Sequence, residues 1–411
     1  MKTNVLTHIV PTLPPQTGGA GDYAFNLACQ LRDHYGMSSQ FILCDPDWDG
    51  PARIGDFVIR RLRLPNEAGL WSLLATIKSE NSPPVLLHYD GYAYHKHGAP
   101  AWLYRGIKSW LEEGNRGSAN SPRKFATIFH ELWETSTRLW ERSFYMQGFQ
   151  RRLVEKLHRG SQYSITSSER YMAQLDFIEP QKTWLLPTPG SLPVTDLPML
   201  KARHNAPMRV VIWGESRSRF NSISVHSNLL RTLDKERRLA SVVLTGKSQP
   251  PSRAANLDVE LLQKYVSSER IDLQGELSPG ELTLSLSLSD LCLFAFGGNS
   301  ACKSGLFMAA LAAGCVPVLR DGLDAAPLQE RKHFVASDDT PSSVRRFQQI
   351  ASSGEIERIA IAGRSWYQRY ADGTVIAKKY QELLQGRLPL ETPREIRLNP
   401  PVWNRRPRLA D

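Results

Sequence analysis

Short apolar runs alternate with longer amphipathic stretches through the first half of the chain. The apolar runs predict buried strands near residues 4–10, 40–44, 57–60, 85–89, 125–129 and 163–166. The stretches between them, in which apolar residues recur every three or four positions, predict helices near residues 22–34, 100–113, 144–159 and 168–176. This alternation is typical of a parallel sheet that is covered by helices on both faces.

The same pattern starts again after a proline-rich interval. The segment LLPTPGSLPVTDLPMLKARHNAP, residues 185–207, has no clear periodicity and therefore predicts an interdomain connection. Beyond it, further strands are predicted at MRVVIWG, ASVVLTG, IDLQG, DLCLFAF and CVPVLR. Because open α/β sheets bind ligands outside the carboxyl ends of their strands, two such domains facing each other would form a ligand cleft.

We therefore predict an α/β protein of two Rossmann-like doubly wound domains. The predicted parts are an N-terminal domain (1–185), a linker (186–207), a C-terminal domain (208–372), a helix that crosses back to the N-terminal domain (373–390) and a basic tail rich in proline and arginine (391–411).

Composition adds limits on compartment and partners. The 411 residues are 41% hydrophobic, enough for two cores, and no apolar run approaches the ~20 residues that a membrane-spanning helix needs. The five cysteines are odd in number and lack CxxC spacing, a pattern that indicates reduced cysteines in the core. We expect a cytoplasmic protein.

The basic charge suggests anionic partners. The formal net charge is +10, but lysine and arginine are scattered apart from a concentration in RLPLETPREIRLNPPVWNRRPRLAD. No recognition helix, zinc-finger spacing or RNA-binding aromatic motif is present, so we expect no nucleic-acid partner. Anionic substrates explain the charge, and so does contact of the basic tail with the inner face of an anionic membrane. A solvated tail without a partner is the alternative.

A glycine-rich loop follows the first strand. In PTLPPQTGGAGDY, the spacing Gly19-x-Gly21-x-x-Ala24, with Asp45 after the next strand, matches the fingerprint of an NAD(P)-dependent oxidoreductase. That fingerprint needs its first glycine directly after the strand, whereas residues 11–17 intervene here. The loop is thus predicted to bring backbone N–H groups close to a ligand, with a surface connection that binds nothing as the alternative.

A candidate anion site lies in the second half. The segment NSACKSGLF places the Lys303 ammonium, the Ser304 hydroxyl and open backbone N–H groups near Gly305 at a predicted helix N-terminus. For Lys303, and for the three cations named next, the alternative is a solvated surface group that binds nothing. Cations that follow neighbouring strands and could converge on the same diphosphate are Arg217, Arg219 and Lys247.

The order of these pieces resembles the GT-B glycosyltransferases, specifically the large retaining family that uses nucleotide sugars (group 1, or family 4). The family's GG.G.Y loop matches Gly18–Tyr23, and FATIFHELW places His130 at the end of a strand where the family often has a histidine. A C-domain family segment resembles LQGELSPGELTLSLSLSDLCLFAF. The resemblance extends over residues 3–385, and the order of the motifs carries it.

The resemblance implies a sugar transferase that uses a UDP- or GDP-sugar as co-substrate, with no cofactor and no metal. It implies that Gly18, Gly19 and Gly21 lie at the donor and that His130 touches the donor sugar. Glu131 would orient His130 or contact an acceptor hydroxyl. A buried structural histidine is the alternative for His130.

Two departures from the family pattern affect function. Its E-x7-E carboxylates, the second of which reaches the nucleotide ribose, are replaced by Ala301 and Ala309, and Glu215 stands where an arginine is common. A catalytically degraded homologue that binds a sugar nucleotide or a partner without transfer therefore remains an alternative.

Acceptor contacts are predicted from aromatic residues near the strand ends. Tyr92 and Tyr94, in HYDGYAYHKHGAP, could stack on a sugar, and His95 and Tyr23 complete the acceptor-side candidates. The acceptor itself, a glycan, a lipid-linked sugar or a small molecule, is not predicted. Three segments nearly match known motifs without fitting them. HELWE lacks the second histidine of the zinc-protease motif, and SVVLTGKS lacks the first glycine of a P-loop. CDPDWDG resembles a metal-binding Asp-x-Asp motif, but it follows a strand as a polar turn.

Overall fold

A computed structural model describes the chain in seven stretches and one single residue. These are residues 5–14, 16, 18–77, 84–117, 123–133, 142–192, 206–247 and 257–386, without the side chains of 115–117 and 142–144. The described part contains an eight-stranded and a six-stranded sheet with helices packed on them, and all pairings but one are parallel. The predicted α/β class with two doubly wound sheets is confirmed.

The first sheet has the strand order β3-β4-β2-β1-β5-β6-β7-β8. Its strands are β1 (Val5–Val10), β2 (Ser38–Leu43), β3 (Arg53–Ile54), β4 (Phe57–Arg61), β5 (Val85–Tyr89), β6 (Phe125–Phe129), β7 (Tyr163–Thr166) and β8 (Thr183–Leu185). The helices that accompany them are α1 (Gly19–Tyr35), α2 (Glu67–Ala75), α3 (Gly91–Tyr94), α4 (Ala101–Gly117), α5 (Arg142–Gly160) and α6 (Glu169–Ile178).

The central strands are apolar because helices cover both of their faces. Every residue of β5 and of β6 is buried, so neither strand shows the alternation of a half-exposed strand. The chain runs outward from β1 to β2 on one side and resumes with β5 on the other, which creates a topological switch point between β1 and β5. Ligands bind open sheets at such a point, beyond the carboxyl ends of the strands.

The second sheet has the order β11-β10-β9-β12-β13-β14, with its switch point between β9 and β12. Its strands are β9 (Met208–Trp213), β10 (Leu239–Thr245), β11 (Ile271–Gly275), β12 (Leu291–Leu293), β13 (Val316–Leu319) and β14 (Val335–Ala336). Its helices are α7 (Ser216–Val225), α8 (Ser227–Lys235), α9 (Leu257–Gln263), α10 (Pro279–Ser287), α11 (Gly305–Ala313), α12 (Pro341–Ser352) and α13 (Glu355–Tyr370), and α14 (Gly373–Leu384) follows them.

The segment NSACKSGLF, in which a helix N-terminus is predicted, contains two separate elements. A 3₁₀ turn spans Gly298–Lys303, and α11 begins only at Gly305, where the Ser304 hydroxyl accepts a hydrogen bond from the backbone N–H of Phe307. This N-cap gives α11 a defined start beside the second sheet's switch point. Gly314 ends the helix with φ = 71°, a left-handed conformation that favours glycine.

Several contacts join the two halves. The backbone N–H of Thr188 donates to Cys302 O over 3.1 Å, and that of Ser191 donates to Gly305 O over 3.2 Å. Helix α14 packs on α1, where the hydroxyls of Tyr23 and Tyr380 are 2.9 Å apart. Residues 193–205 of the predicted linker and 387–411, with the predicted tail, lie outside the described residues. Within the stretches that are described, no helix is both long enough and apolar enough to cross a membrane.

Candidate functional site

A cavity of about 350 Å³ lies between the two sheets, at the carboxyl ends of β5, β6 and β7. We call it the cleft cavity. It is bounded by the first turn of α1, by residues that follow the strands of the first sheet, by the start of the linker and by the start of α11. Its lining is Gly19, Ala20, Asp22, Tyr23, Asn26, Asp90, His130, Glu131, Ser167, Thr188, Pro189, Ser191, Lys303, Gly305 and Leu306.

The three glycines of the first loop have different roles. A Cβ on Gly21 would lie 2.1 Å from the carbonyl oxygen of Thr12, and one on Gly18 would lie 2.4 Å from Thr12 Cγ2, so both glycines allow the loop to pack on α1. Gly19 has nothing within 4 Å of that position and lines the cleft cavity. Because the chain's own loop occupies the space beside Gly21, the backbone approach to a pyrophosphate that the dinucleotide fingerprint requires is blocked there.

Gly21→Ala and Gly19→Ala form a matched pair of variants on this loop. We expect Gly21→Ala to lower the free energy of unfolding by about 1–3 kcal/mol, because its methyl group must displace backbone. We expect Gly19→Ala to leave stability within about 0.5 kcal/mol of the parent. Urea unfolding of both variants measures the difference, and equal stabilities would contradict this account of the loop.

Lys303 and Glu131 form an ion pair across the cleft. The distance from Lys303 Nζ to Glu131 Oε1 is 2.7 Å, and the lysine side chain is 18% exposed against 49% for the glutamate. The Tyr171 hydroxyl donates to the other carboxylate oxygen of Glu131, and Lys303 Nζ donates to the Tyr171 oxygen over 3.2 Å. The ammonium also lies 4.8 Å from the centre of the Tyr171 ring. Lys303 is therefore held in one place before any ligand arrives.

A second cavity, of about 270 Å³, is also lined by this ion pair. We call it the outer cavity. Lys303 and Glu131 line both cavities. The other residues of the outer cavity are Gly91, Tyr92, Gly98, Leu132, Trp133, Gln150, Ser168, Arg170, Tyr171 and Asn299.

His130 follows β6 and lies at the wall of the cleft cavity. Its Nε2 is 3.3 Å from Nδ1 of His88, in β5, and Nε2 of His88 is 3.0 Å from Nδ1 of His8, in β1. Burial, with a smaller contribution from the positive charge of Lys303, lowers the pKa of His130 to about 4. Burial likewise lowers the pKa of His8 to about 3 and that of His88 well below its usual range. All three imidazoles are thus neutral at pH 7.

Orienting His130 is one of the two roles that the resemblance implies for Glu131, and Glu131 does not have that role in the structure. Its carboxylate is bound to Lys303 and Tyr171. The group hydrogen-bonded to His130 is His88.

The structure gives the predicted cations of the second sheet different surroundings. Arg219 is buried, with Nε donating to Asp258 over 2.7 Å and Nη1 donating to Gly214 O over 2.8 Å, so its charge is neutralised inside the domain. Arg217 is exposed on α7, and Lys247 is an exposed residue 3.9 Å from Glu276. Among the predicted cations, Lys303 is the one found in the described lining of the two cavities. The predicted role of Arg219 at a diphosphate is therefore corrected. Its side chain instead ties the ends of β9 and β10 together.

The acceptor-side candidates are also separated by the structure. Tyr92 is 45% exposed, lines the outer cavity and accepts a hydrogen bond from Gln150 Nε2. Tyr94 donates to the carbonyl oxygens of Ile9 and His88, which fixes the ends of β1 and β5. The Nδ1 atom of His95 accepts a hydrogen bond from the backbone N–H of His97, and His95 is outside the described lining of both cavities. Tyr23 lines the cleft cavity, but its hydroxyl is bound to that of Tyr380.

The alanines at the two carboxylate positions are buried. Ala301 is 0% exposed and Ala309 is 3% exposed. A Cβ built on Gly190 would lie 3.5 Å from Ala309 Cα, so the start of the linker packs against this small residue. Neither position can supply a carboxylate to a ligand.

Sequence reasoning did not identify Tyr171 or His8. Burial raises the pKa of Asp90, which follows β5 and lines the cleft cavity. A signal for His8 was present, since the apolar strands NVLTHIV and VLLHY each contain one histidine. Nothing local marks Tyr171, which reaches Lys303 only through the packing of the two halves. Within the described stretches, no three or more His, Cys, Asp or Glu side chains are arranged so that together they could hold a metal ion.

No protein-family model matches the chain, and no curated protein matches it either. Solved structures do match. A glycosyltransferase from Rickettsia africae ESF-5 superposes with a TM-score of 0.62 at 13% identity, over 94% of this chain and 99% of its own. The lipopolysaccharide outer core galactosyltransferase WaaB, in its apo form, has a TM-score of 0.62 at 10% identity over 93% and 100% of the two chains.

A third structure, the pneumococcal O-GlcNAc transferase GtfA in complex with UDP and GlcNAc, has a TM-score of 0.61 at 10% identity over 94% and 99% of the two chains. At these identities the likeness concerns the fold. It extends over nearly the whole length of every chain compared, including both sheets of this protein. The chain therefore has the fold of the GT-B glycosyltransferases.

Proposed function

We propose that the protein transfers a sugar from a nucleoside-diphosphate donor to an acceptor. The observation that carries this proposal is the pair of cavities that meet at Lys303 and Glu131, between the carboxyl edges of two parallel sheets. In the proposal the donor occupies the cleft cavity and the acceptor enters through the outer cavity. The domain boundaries predicted from the sequence are kept, with 1–185 on the acceptor side and 208–372 on the donor side.

Lys303 supports this proposal through its position beside the start of α11. Sugar transfer requires that the negative charge developing on the leaving diphosphate be stabilised. A preorganised ammonium and the free backbone N–H groups of a helix N-terminus supply such stabilisation without a metal ion. We infer that the diphosphate takes Glu131's place as the partner of Lys303, whose present contact measures 2.7 Å.

His130 is proposed to contact the donor sugar as a neutral hydrogen-bonding group. With a pKa lowered to about 4, it carries no positive charge at pH 7 and does not serve as an acid in its charged form. In a retaining transfer, the acceptor hydroxyl can give its proton to the leaving phosphate itself. The proposal is accordingly a retaining, metal-independent reaction in which Glu131, once released by Lys303, faces the acceptor.

The donor is proposed to be a UDP-sugar. One neighbour of the same fold was solved with UDP and GlcNAc, and another is a galactosyltransferase. GDP remains the other donor nucleotide that the sequence resemblance implies. The acceptor is proposed to be a glycan, a lipid-linked sugar or a small molecule, reached from the cytoplasm, with the basic tail touching an anionic membrane and no nucleic acid involved.

One observation favours a second candidate. Because Ala301 and Ala309 leave no carboxylate for a ribose, the protein could bind a sugar nucleotide without transferring the sugar. Such a degraded homologue would keep Lys303 and the helix N-terminus and would therefore still bind a diphosphate.

Metal-free calorimetric titration with UDP, GDP, ADP and NAD separates these candidates. We expect UDP to bind, GDP to bind more weakly and NAD not to bind. We also expect a UDP-sugar to be turned over when acceptors are supplied. Binding of UDP without turnover across a broad acceptor panel would favour the degraded homologue. Binding of NAD alone would overturn the proposed function.

A further inference from the structure

A row of three histidines leads from the cleft cavity into the core of the first sheet. His130 Nε2 meets His88 Nδ1 at 3.3 Å, and His88 Nε2 meets His8 Nδ1 at 3.0 Å. The row ends at Ser39, in β2, whose hydroxyl oxygen is 3.3 Å from His8 Nε2. His8 and His88 are completely buried and do not line the cavity, so the proposed chemistry makes no direct use of them.

The geometry allows the row only two proton arrangements. A neutral imidazole carries one N–H donor and one nitrogen acceptor, so each contact must join one of each. If His8 donates to His88, then His88 must donate to His130, and the proton of His130 is left on Nδ1. If the order is reversed, every proton moves to the opposite nitrogen, and Nδ1 of His130 presents a lone pair.

Ser39 distinguishes these two arrangements. Its side chain is 2% exposed, and His8 is its hydrogen-bond partner within the part of the chain that the structure describes. When His8 Nε2 is the acceptor, the Ser39 hydroxyl donates its proton. In the reverse arrangement His8 donates, and the hydroxyl proton of Ser39 is buried without an acceptor, which is costly.

The neighbouring rings hold the row in place without competing for its nitrogens. His8 stacks on Phe41 with ring centres 5.0 Å apart, and the His88 and His130 rings are inclined by only 17°. The Tyr23 ring meets His130 edge-on, but the Tyr23 hydroxyl is bound to Tyr380. The nitrogens of the row are thus left to bond with one another.

We propose that Ser39, acting through His8 and His88, fixes His130 as the tautomer that carries its proton on Nδ1 and presents an N–H donor to the cleft cavity. Ser39, His8 and His88 are positioning residues in this arrangement. His130 Nε2 accepts from His88, and Nδ1 is protonated, so His130 has no nitrogen free to act as a base.

The functional consequence rests on the proposed function. An N–H donor at this wall would bind an oxygen of the donor, either a sugar hydroxyl or a phosphate oxygen, and would reject a group that can only donate. The tautomer itself rests on the hydrogen bonds alone and needs no ligand.

The direct test is nitrogen NMR of the full-length protein labelled with ¹⁵N at histidine, near pH 7 and without ligand. Long-range correlations between ring protons and nitrogens distinguish the two neutral tautomers and the charged ring. His130 is assigned, among the ten histidines of the chain, by the signal lost in His130→Gln. We expect the Nδ1–H form to exceed the Nε2–H form by about tenfold or more. A dominant Nε2–H form, or a charged ring, would overturn the proposal.

Ser39→Ala tests the origin of the preference, with Ser39→Thr as a matched control that keeps the hydroxyl. We expect Ser39→Ala to produce a mixture of His130 tautomers and Ser39→Thr to keep the parental one. An unchanged tautomer in a folded Ser39→Ala variant would overturn the role of Ser39. If that variant does not fold, the spectrum of the parent protein still decides the tautomer.

Kinetics then separate this inference from the proposed function. With a UDP-sugar, we expect Ser39→Ala to lower kcat/KM by about three- to tenfold and Ser39→Thr to leave it near that of the parent. A shifted tautomer with unchanged kcat/KM would overturn the functional consequence. Absence of transfer by the parent protein, together with the expected tautomer, would contradict the proposed function and leave the proton arrangement standing.

Discussion

Lys303→Met is expected to weaken UDP binding by about 1.5–3 kcal/mol, since a charge-assisted hydrogen bond to the diphosphate is lost. We expect turnover to fall by about two to three orders of magnitude, because the same ammonium would stabilise the charge on the leaving group. Stability should change by less than about 1 kcal/mol, since the Glu131 carboxylate left behind is half-exposed. Calorimetry with UDP, steady-state kinetics and urea unfolding measure the three quantities.

Two further variants make this prediction specific. Lys182→Met is a matched control, because Lys182 is also a largely buried lysine, 2.8 Å from Glu179, and directly precedes β8, away from the described lining of both cavities. We expect it to bind UDP like the parent. Glu131→Gln removes the competing anion and should leave UDP affinity equal or higher. Loss of affinity in Lys182→Met, or unchanged affinity in Lys303→Met, would remove Lys303 from the phosphate site.

Acidification from pH 7 to pH 5 is expected to destabilise the protein through its buried histidines. The folded-state pKa values of His8 (about 3) and His130 (about 4) lie below the usual value of 6.5, so the unfolded chain takes up protons that the folded chain does not. Stability is therefore lost as pH falls below 6.5, and the loss continues until pH reaches the folded-state pKa. At pH 5 each of these two histidines costs about 2 kcal/mol, about 4 kcal/mol together, a large part of a typical folding free energy.

A comparison of variants isolates this effect from other titrations. Burial raises the pKa values of Asp22 and Asp90, which act in the opposite sense on acidification. His8→Gln should therefore lose about 2 kcal/mol less stability than the parent between pH 7 and pH 5, as measured by urea unfolding at both pH values. The control is His34→Gln, at an exposed position on α1, which should follow the parent. Identical pH dependence in the parent and His8→Gln would show that His8 titrates normally in the folded protein.

The sequence predicted most of the strands because burial leaves a local record. Of the helices it predicted α1, α4, α5, α6, α11 and α14, and the remaining helices of the described residues were not predicted individually. A strand covered on both faces must be apolar along its whole length, as β5 and β6 are, and a helix on a sheet must be apolar on one side. Short strands without that record were missed. The two-residue β3 and β14 and the three-residue β8 are too short to show a period, and their pairing partners define them.

The candidate site was predicted in part. Lys303 was selected because it stands at a predicted helix N-terminus, and His130 because it follows a buried strand, the position at which parallel sheets bind ligands. Arg219 satisfied the same rule, yet it is buried against Asp258, a residue 39 positions away that no local pattern connects with it. Tyr171 was missed for the same reason, since its contact with Lys303 joins residues 132 positions apart.

The sequence by itself determined that two parallel sheets form, where their strands end, and that a glycine-rich loop and a capped helix stand at those ends. These features follow from hydrophobic period, glycine and cap residues, all of which act over a few neighbouring positions. Only the tertiary structure decided which charges stay available, by pairing Lys303 with Glu131 across the cleft and Arg219 with Asp258 in the interior. It alone aligned His8, His88 and His130, because strands distant in sequence become neighbours in the sheet.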